Sequence, residues 1–354
     1  MNKNKILFFY SILLLILSSC SGRDSSINND NNTVKDNSKI TLNDGDLGEN
    51  SNGENIGVVS TSCSYSSVPV SNVNFTSGNT LSLSTAKSSG FTKGISVFGI
   101  NILATTGVSE DKLIHAANVM AELIDNNENG KVDNTCVVKK INELEAFVSM
   151  YNLDESEISM EPLEKLGLDS SSTGLGAFET TVNYESADQH DASVEEIFHL
   201  ITQFGYSKVY PEIFGESNES TSLLAKAMDV ARGGQQTQLT NGAWIYNNSD
   251  CANAGKVRGS KKAWYFYEDT TADYATMITE YIYWAVSSNF GMHDSEAGRQ
   301  KSQTEWCPHT KSKLQEQDPT VYNLINNSKY AFPSKMPIAN YGFRSITISD
   351  ISYF

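Results

Sequence analysis

From about residue 61 the chain passes from short β-type runs to longer helical periodicities. VPVSNVNF (68–75), NTLSLST (79–85) and ISVFGINILAT (95–105) show partial apolar–polar alternation between Ser and Gly, and read as strands. Leu113, Ala117, Met120, Ala121 and Ile124 then recur at helical spacing behind Ser109, an N-cap candidate with Glu110 and Asp111 in the first turn. The pattern predicts a second helix over Cys136 to Glu145, a strand in AFVSMY, and a strand in GLGAFETTVNY (174–184) running into the helix DASVEEIFHLITQFG (191–205). On that helix Val194, Ile197, Phe198, Ile201 and Phe204 share one face, which marks the side turned to the core. SLLAKAMDVAR predicts a further helix stopped by Gly233 and Gly234. DYATMITEYIYWAVSSNFG (273–291) predicts a long, very apolar one, and a short helix around Val321 to Ile325 precedes Pro-punctuated coil. No internal repeat is visible. The expected class is α+β, with a small sheet and helices dominating the middle.

The first residues follow a different logic. Lys3 and Lys5 precede an apolar run from Ile6 to Leu17, too short for the roughly 20 residues a spanning helix needs. The run closes in Leu17-Ser18-Ser19-Cys20, which resembles a bacterial lipobox. That resemblance implies a signal peptide over residues 1–19 and lipidation of Cys20, so the expected partner is a membrane reached through acyl chains. Ser21 stands where an aspartate would retain the protein at the inner membrane, which favours the outer membrane or cell surface. Residues 20–60 are Ser, Asn, Asp and Gly with almost nothing to bury, and read as a disordered tether. Residues 61–354 then form one domain, with strands and a calcium-type loop in 61–150 and a catalytic-like part in 151–354.

Composition narrows the partners. A net charge of −16 leaves no basic surface for nucleic acid. Beyond Cys20 the chain has Cys63, Cys136, Cys251 and Cys307, which suit two disulfides in an exported protein, with three pairings open.

Candidate chemistry lies in two places. ELIDNNENGKVDN (122–134) resembles an EF-hand loop, with Asp125, Asn127, Asn129 and Asp133 as side-chain oxygen donors, Val132 at a carbonyl position and Gly130 at the sharp turn. Such a set suits Ca2+. Cys136 stands where the bidentate glutamate belongs, so the missing oxygens would come from Glu143, another loop or water. The plain alternative is an Asn/Gly-rich turn between helices.

The second place is E-E-x-x-H. Glu195 and His199 lie at i and i+4, as the two histidines of H-E-x-x-H do, and Glu196 occupies the general-base position. Ser193 followed by Glu196 also spells a capping box, under which Glu195 and His199 are an ordinary i, i+4 pair. Glu280, enclosed in the apolar TMITEYIYWAV, is a candidate third ligand, since a buried carboxylate needs a metal, a partner or a proton.

DASVEEIFHLITQFGY, AMDVARGG, AWYFYEDTTADY, TEYIYWAVSS and HAANVMAELID together resemble a family of exported bacterial lipoproteins that are similar to zincin-type, gluzincin-like metallopeptidases. The resemblance implies a zincin-like fold with Zn2+ held by Glu195, His199 and Glu280, and peptide hydrolysis with Glu196 as base. A reading from another class is a non-enzymatic, calcium-braced surface protein that binds a glycan or protein partner through Trp244, Tyr246, Trp264, Tyr265, Phe266 and Tyr267. Alternating aromatics of this kind are more often core or disulfide-packing residues, and Cys251 lies between them. His190, His115 and His309 read as exposed or loop histidines, and Asp229 with Arg232 as an i, i+3 pair.

Overall fold

A computed structural model describes residues 63–75, 79–182, 191–233, 251, 263–267 and 272–354. The leader, Cys20, the tether, His190, Trp244 and Tyr246 lie outside these residues. Among the described residues there are six strands: β1 (Val70–Ser71), β2 (Phe91–Val97), β3 (Ile100–Thr105), β4 (Phe147–Tyr151), β5 (Ser172–Gly176) and β6 (Ser352–Tyr353). The first helices are α1 (Leu83–Ser88), α2 (Glu110–Ile124), α3 (Thr135–Glu143), α4 (Glu161–Glu164) and α5 (Ala192–Ile201). A π turn over Thr202–Tyr206 leads into α6 (Ser207–Val209), followed by α7 (Pro211–Phe214) and α8 (Leu223–Ala231). The remaining helices are α9 (Tyr274–Asn289), α10 (Glu296–Ser302), α11 (Lys311–Gln317) and α12 (Pro319–Ile325).

The sheet is mixed, in the order β1-β2-β3-β4-β5, with β6 also on β2. β2 and β3 form an antiparallel hairpin in which Val97 faces Ile100. The two loop residues, Phe98 and Gly99, both have positive φ, the conformation a tight hairpin of right-twisted strands requires. Helices α2 and α3 carry the chain from β3 to β4, and the segment with α4 carries it from β4 to β5, so the three strands run parallel. β5 is the edge strand.

Alternation sorts the strand residues onto two faces. Ile95, Val97, Ile102, Ala104, Val148, Met150 and Leu175 join the main core with α2, α3, α5, α8 and α9. Leu103, Phe147 and Tyr151 face the other way, joined by Phe91 across a register shift between Phe91 and Lys93, onto a smaller cluster with Ala86 of α1 and Leu163 of α4. This is an α+β arrangement, as the periodicity predicts.

Several expectations are corrected. NTLSLST contributes not a strand but the start of α1, because Ser82 accepts from the amide of Thr85 and caps a helix. Of VPVSNVNF only Val70–Ser71 pairs with β2. The strand expected over 174–184 ends at Gly176, where Glu179 takes the Gly176 amide and turns the chain. The Pro-punctuated end carries α10 and α11 as well as α12; both are short, polar helices capped by Ser295 and Thr310 and show little apolar periodicity.

The cysteines pair as Cys63–Cys136 and Cys251–Cys307. The second disulfide packs with Ala263 and Phe266. Tyr265 is fully buried against Tyr281 and Trp306, and the indole of Trp264 donates to Asp318. Of the described aromatics before α9, Tyr265 and Phe266 are therefore buried packing residues, and Trp264 and Tyr267 are half-buried against the core.

Candidate metal centre and cleft

α5 begins at Ala192, and its cap is Asp191, whose Oδ1 accepts from the Ser193 amide. The capping box read from Ser193 and Glu196 is not formed, because Ser193 lies inside the helix and its hydroxyl donates to Asp191 Oδ2 at 2.7 Å. Asp191 is 1% exposed and also receives the Thr181 amide and His115 Nε2, the latter at 2.7 Å. His115 is thus buried, not exposed. It stands on α2, which packs on α5, and an imidazole there is tolerated because it pairs with the cap. The Asp191 carboxyl, although buried, is held below the usual range by hydrogen bonds and charge from His115 and by Ser193.

Past that cap the helix follows its predicted face. Val194, Ile197, Phe198 and Ile201 are buried in the core, and Phe204 is half-buried at the cleft. The face beside it carries Glu195, Glu196 and His199. Glu280 comes in from α9, and one ligand atom each from Glu195, His199 and Glu280 lie within 4.8 Å of one another. His199 Nε2 is 3.7 Å from Glu280 Oε2, and Nδ1 is 3.6 Å from Glu196 Oε2. Four bonds of about 2.1 Å in a tetrahedron place neighbouring ligand atoms about 3.4 Å apart. A small inward adjustment would therefore let the three side chains share one divalent ion.

His199 is 6% exposed and its Nε2 has no hydrogen-bond partner. Burial by itself pulls the imidazole down, but Glu280, Glu196 and Glu195 outweigh it and push it up to about 10. Burial and the charge of Glu280 push the Glu195 carboxyl well above the carboxylate range, against the opposing pull of His199. Three carboxylates around one imidazole leave an excess of negative charge in a dry place, which a proton or a metal cation can offset. The donors, oxygen and imidazole nitrogen, suit a divalent transition metal.

Glu196 and His199 open on a cleft of about 410 Å³, which Glu195 and Glu280 do not line. One wall is β5, which lies at one edge of the sheet among the described residues, with Ser172, Thr173 and Gly174, beside Ser149 and Tyr151 of β4. The other is α5 and the π turn, with Glu196, His199, Gln203 and Phe204, and the start of α9. The π turn starts at Thr202, three residues after His199, and such turns are frequent at functional sites; Gly205 within it lets α3 approach, since a Cβ there would lie 2.6 Å from Val137. Glu196 also raises its neighbours. Burial first, then Glu196, pushes Glu179 up to about 7, and the same two causes raise Glu155.

Three participants escape a reading of sequence. Asp191 and His115 are far apart in the chain and meet only in the fold. Glu216, in a polar loop after α7, reaches the cleft and accepts from Thr279 at 2.6 Å. Burial pushes its carboxyl up to about 7, against that hydrogen bond and the charge of His199. Nothing in the run GESNES marks it.

The calcium-type loop joins α2 to α3 as predicted, and its residues largely satisfy one another. Asp125 accepts the amides of Asn129 at 3.0 Å and Gly130 at 2.7 Å, and the Tyr341 hydroxyl. Asp133 takes the Asn126 amide and the side chain of Asn127; the Asn129 side chain takes the Lys131 amide. Val132 packs partly buried against the core. Gly130 has φ +81° and Phe343 fills the space a Cβ would need. Glu143 does not supply missing oxygens: it is exposed at the far end of α3 and pairs with Lys140 at 2.6 Å. Cys136, at the last loop position, is committed to its disulfide.

His309 is buried, bonded to the His293 carbonyl and to Lys313, away from the centre. Arg232 is 2% exposed at the end of α8; burial raises the Asp229 carboxyl, and the Tyr274 hydroxyl and the charge of Arg232 offset this only in part. Comparison with family models, curated proteins and solved structures found no match to the chain.

Proposed function

We propose that the chain is a metal-dependent hydrolase of the cell envelope, acting on a peptide or related amide. The observation that carries this reading is the convergence of Glu195, His199 and Glu280 beside Glu196, at a cleft walled by an edge strand. Glu195, His199 and Glu280 hold the ion, with His199 ligating through Nε2. Such an ion, zinc or a harder divalent cation, would supply Lewis acidity to a carbonyl and to water at the centre. A glutamate in place of the first histidine of H-E-x-x-H adds negative charge, which shifts preference toward harder ions. Glu196 takes the proton of the attacking water and passes it to the leaving amine. The unpaired edge of β5 accommodates an extended segment by strand addition, which lays an amide across the centre. A zincin-like relationship, suggested by the sequence, accords with an edge strand preceding a ligand-bearing helix and a later helix supplying a glutamate.

Lipidation at Cys20 places the domain on the outer membrane or cell surface, and two disulfides fit an exported chain. A subsidiary Ca2+ site in the 125–133 loop is favoured by one observation. Burial and the neighbouring Asp125 raise the Asp133 carboxyl, a repulsion that a cation would relieve. Such an ion braces α2 against α3.

The test is elemental analysis of the full chain purified without added metal, with peptide hydrolysis followed by mass spectrometry. A stoichiometric transition metal is expected, lost in His199→Ala. Glu196→Gln should retain the metal and lose hydrolysis. Absence of metal under every loading condition sinks the reading.

A further inference from the structure

The charge of the cleft is one-sided. Among the described residues Glu155, Glu164, Asp169, Glu196, Glu216 and Asp273 line it, against Lys208 and the imidazole of His199. Acidic side chains along a rim are ordinary in a chain of net charge −16 and define nothing by themselves. Two buried atoms make the difference.

Glu216 Oε1 exposes less than 1 Å² and has no hydrogen-bond partner, while its other oxygen takes the Thr279 hydroxyl. His199 Nε2, on a residue 6% exposed, is the second such atom at the same wall. The nitrogen is accounted for by the metal reading. The Glu216 oxygen is not, because Glu216 lies outside the group of residues able to share the ion. A carboxylate oxygen out of water and unpaired is costly, and the partner that satisfies it must donate a hydrogen, best from a cation. An ammonium or guanidinium on a long apolar stem is the ligand that can reach such an atom while its backbone stays on the open edge of β5.

We propose that the cleft selects peptides carrying lysine or arginine next to the bond held at the centre, with Glu216 as the anchor of that side chain. This rests on the hydrolase reading for the placement of the bond, but not for the binding itself. The exposed acids Glu164 and Asp169 draw a basic segment in from solvent. Lys208, exposed on the same wall, disfavours a crowded second cation there.

The experiment uses the full chain and fluorescein-labelled hexapeptides that differ only in one central residue: Lys, Arg, Gln or Glu. Anisotropy gives Kd at low and high salt, and mass spectrometry of the same samples reads cleavage. Lys and Arg peptides should bind about tenfold tighter than the Gln peptide, and the Glu peptide more weakly still. Glu216→Gln keeps an acceptor for Thr279 and should erase most of the Lys and Arg advantage while leaving the Gln peptide unchanged. Should that variant fail to fold, Glu164→Gln with Asp169→Asn, both exposed, should weaken the salt dependence of Lys-peptide binding. Equal affinity for Lys and Gln peptides overturns the proposal, as does a preference untouched by Glu216→Gln. Cleavage without charge preference removes this proposal and keeps the hydrolase; charge-selective binding without cleavage at any metal loading does the reverse.

Discussion

His115 Nε2 and Asp191 Oδ2 lie 2.7 Å apart, and through that contact α2 fixes the first turn of the helix that carries Glu195, Glu196 and His199. Both residues are buried, so removing the imidazole leaves a desolvated carboxylate short of a partner. His115→Ala should cost about 2 kcal/mol of stability in denaturant unfolding. It should also weaken metal binding although His115 touches no ligand. Unchanged stability would show that Asp191 is satisfied without it.

Glu195 separates stability from function. Burial and Glu280 already disfavour its charged form, so a neutral isostere removes little from the metal-free protein. Glu195→Gln should leave the metal-free melting temperature within a few degrees and abolish the gain seen on metal addition. A large drop without metal would mean that its charge supports the fold.

Glu179 and Glu216 set the sign of a pH effect. Each folded carboxyl titrates near 7 instead of the ordinary 4.5. Between those values the folded protein keeps a proton that the unfolded chain has released. Stability contributed by these groups therefore falls as pH rises from about 4.5 to about 7, and the penalty is absent below that window. Glu179 is partly solvated, so its share is damped. Melting of the metal-free chain at pH 5 and pH 8 should show a smaller loss in Glu179→Gln than in wild type. An equal loss would place the effect elsewhere.

Asp125 tests the loop. Asp125→Ala removes the acceptor for two amides and the Tyr341 hydroxyl, so it should lower the melting temperature even with chelator present. Calcium should raise the melting temperature of wild type and not of the variant. Identical wild-type melts with calcium and with chelator leave the loop a hydrogen-bonded turn.

Cys63 and Cys136 close a separation of 73 residues and tie the start of the described domain to α3. By loop-closure entropy, replacing both with Ser should cost about 4 kcal/mol in equilibrium unfolding. Metal content should not change, because the link lies on the α3 side of the domain. A cost below about 1 kcal/mol would show that residual structure already constrains the unfolded chain.

The local plan of this protein is written in its sequence. Apolar spacing alone places α2, α5 and α9, since a period of 3.6 has one core-facing solution. It also puts Glu195 and His199 on one face, four residues apart. Positive φ at Phe98–Gly99 and Gly130 follows from the tight turns that join strand to strand and helix to helix. Short polar helices such as α10 and α11 are less legible, because capping rather than a hydrophobic face starts them. Tertiary structure decided what no spacing encodes. It brought Glu280 to 3.7 Å from His199 and buried His115 of α2 against the Asp191 cap of α5. It also turned Glu216 into the cleft. Each of these depends on elements distant in the chain meeting across a packed core, where burial sets the charge state of a side chain that local pattern can only name.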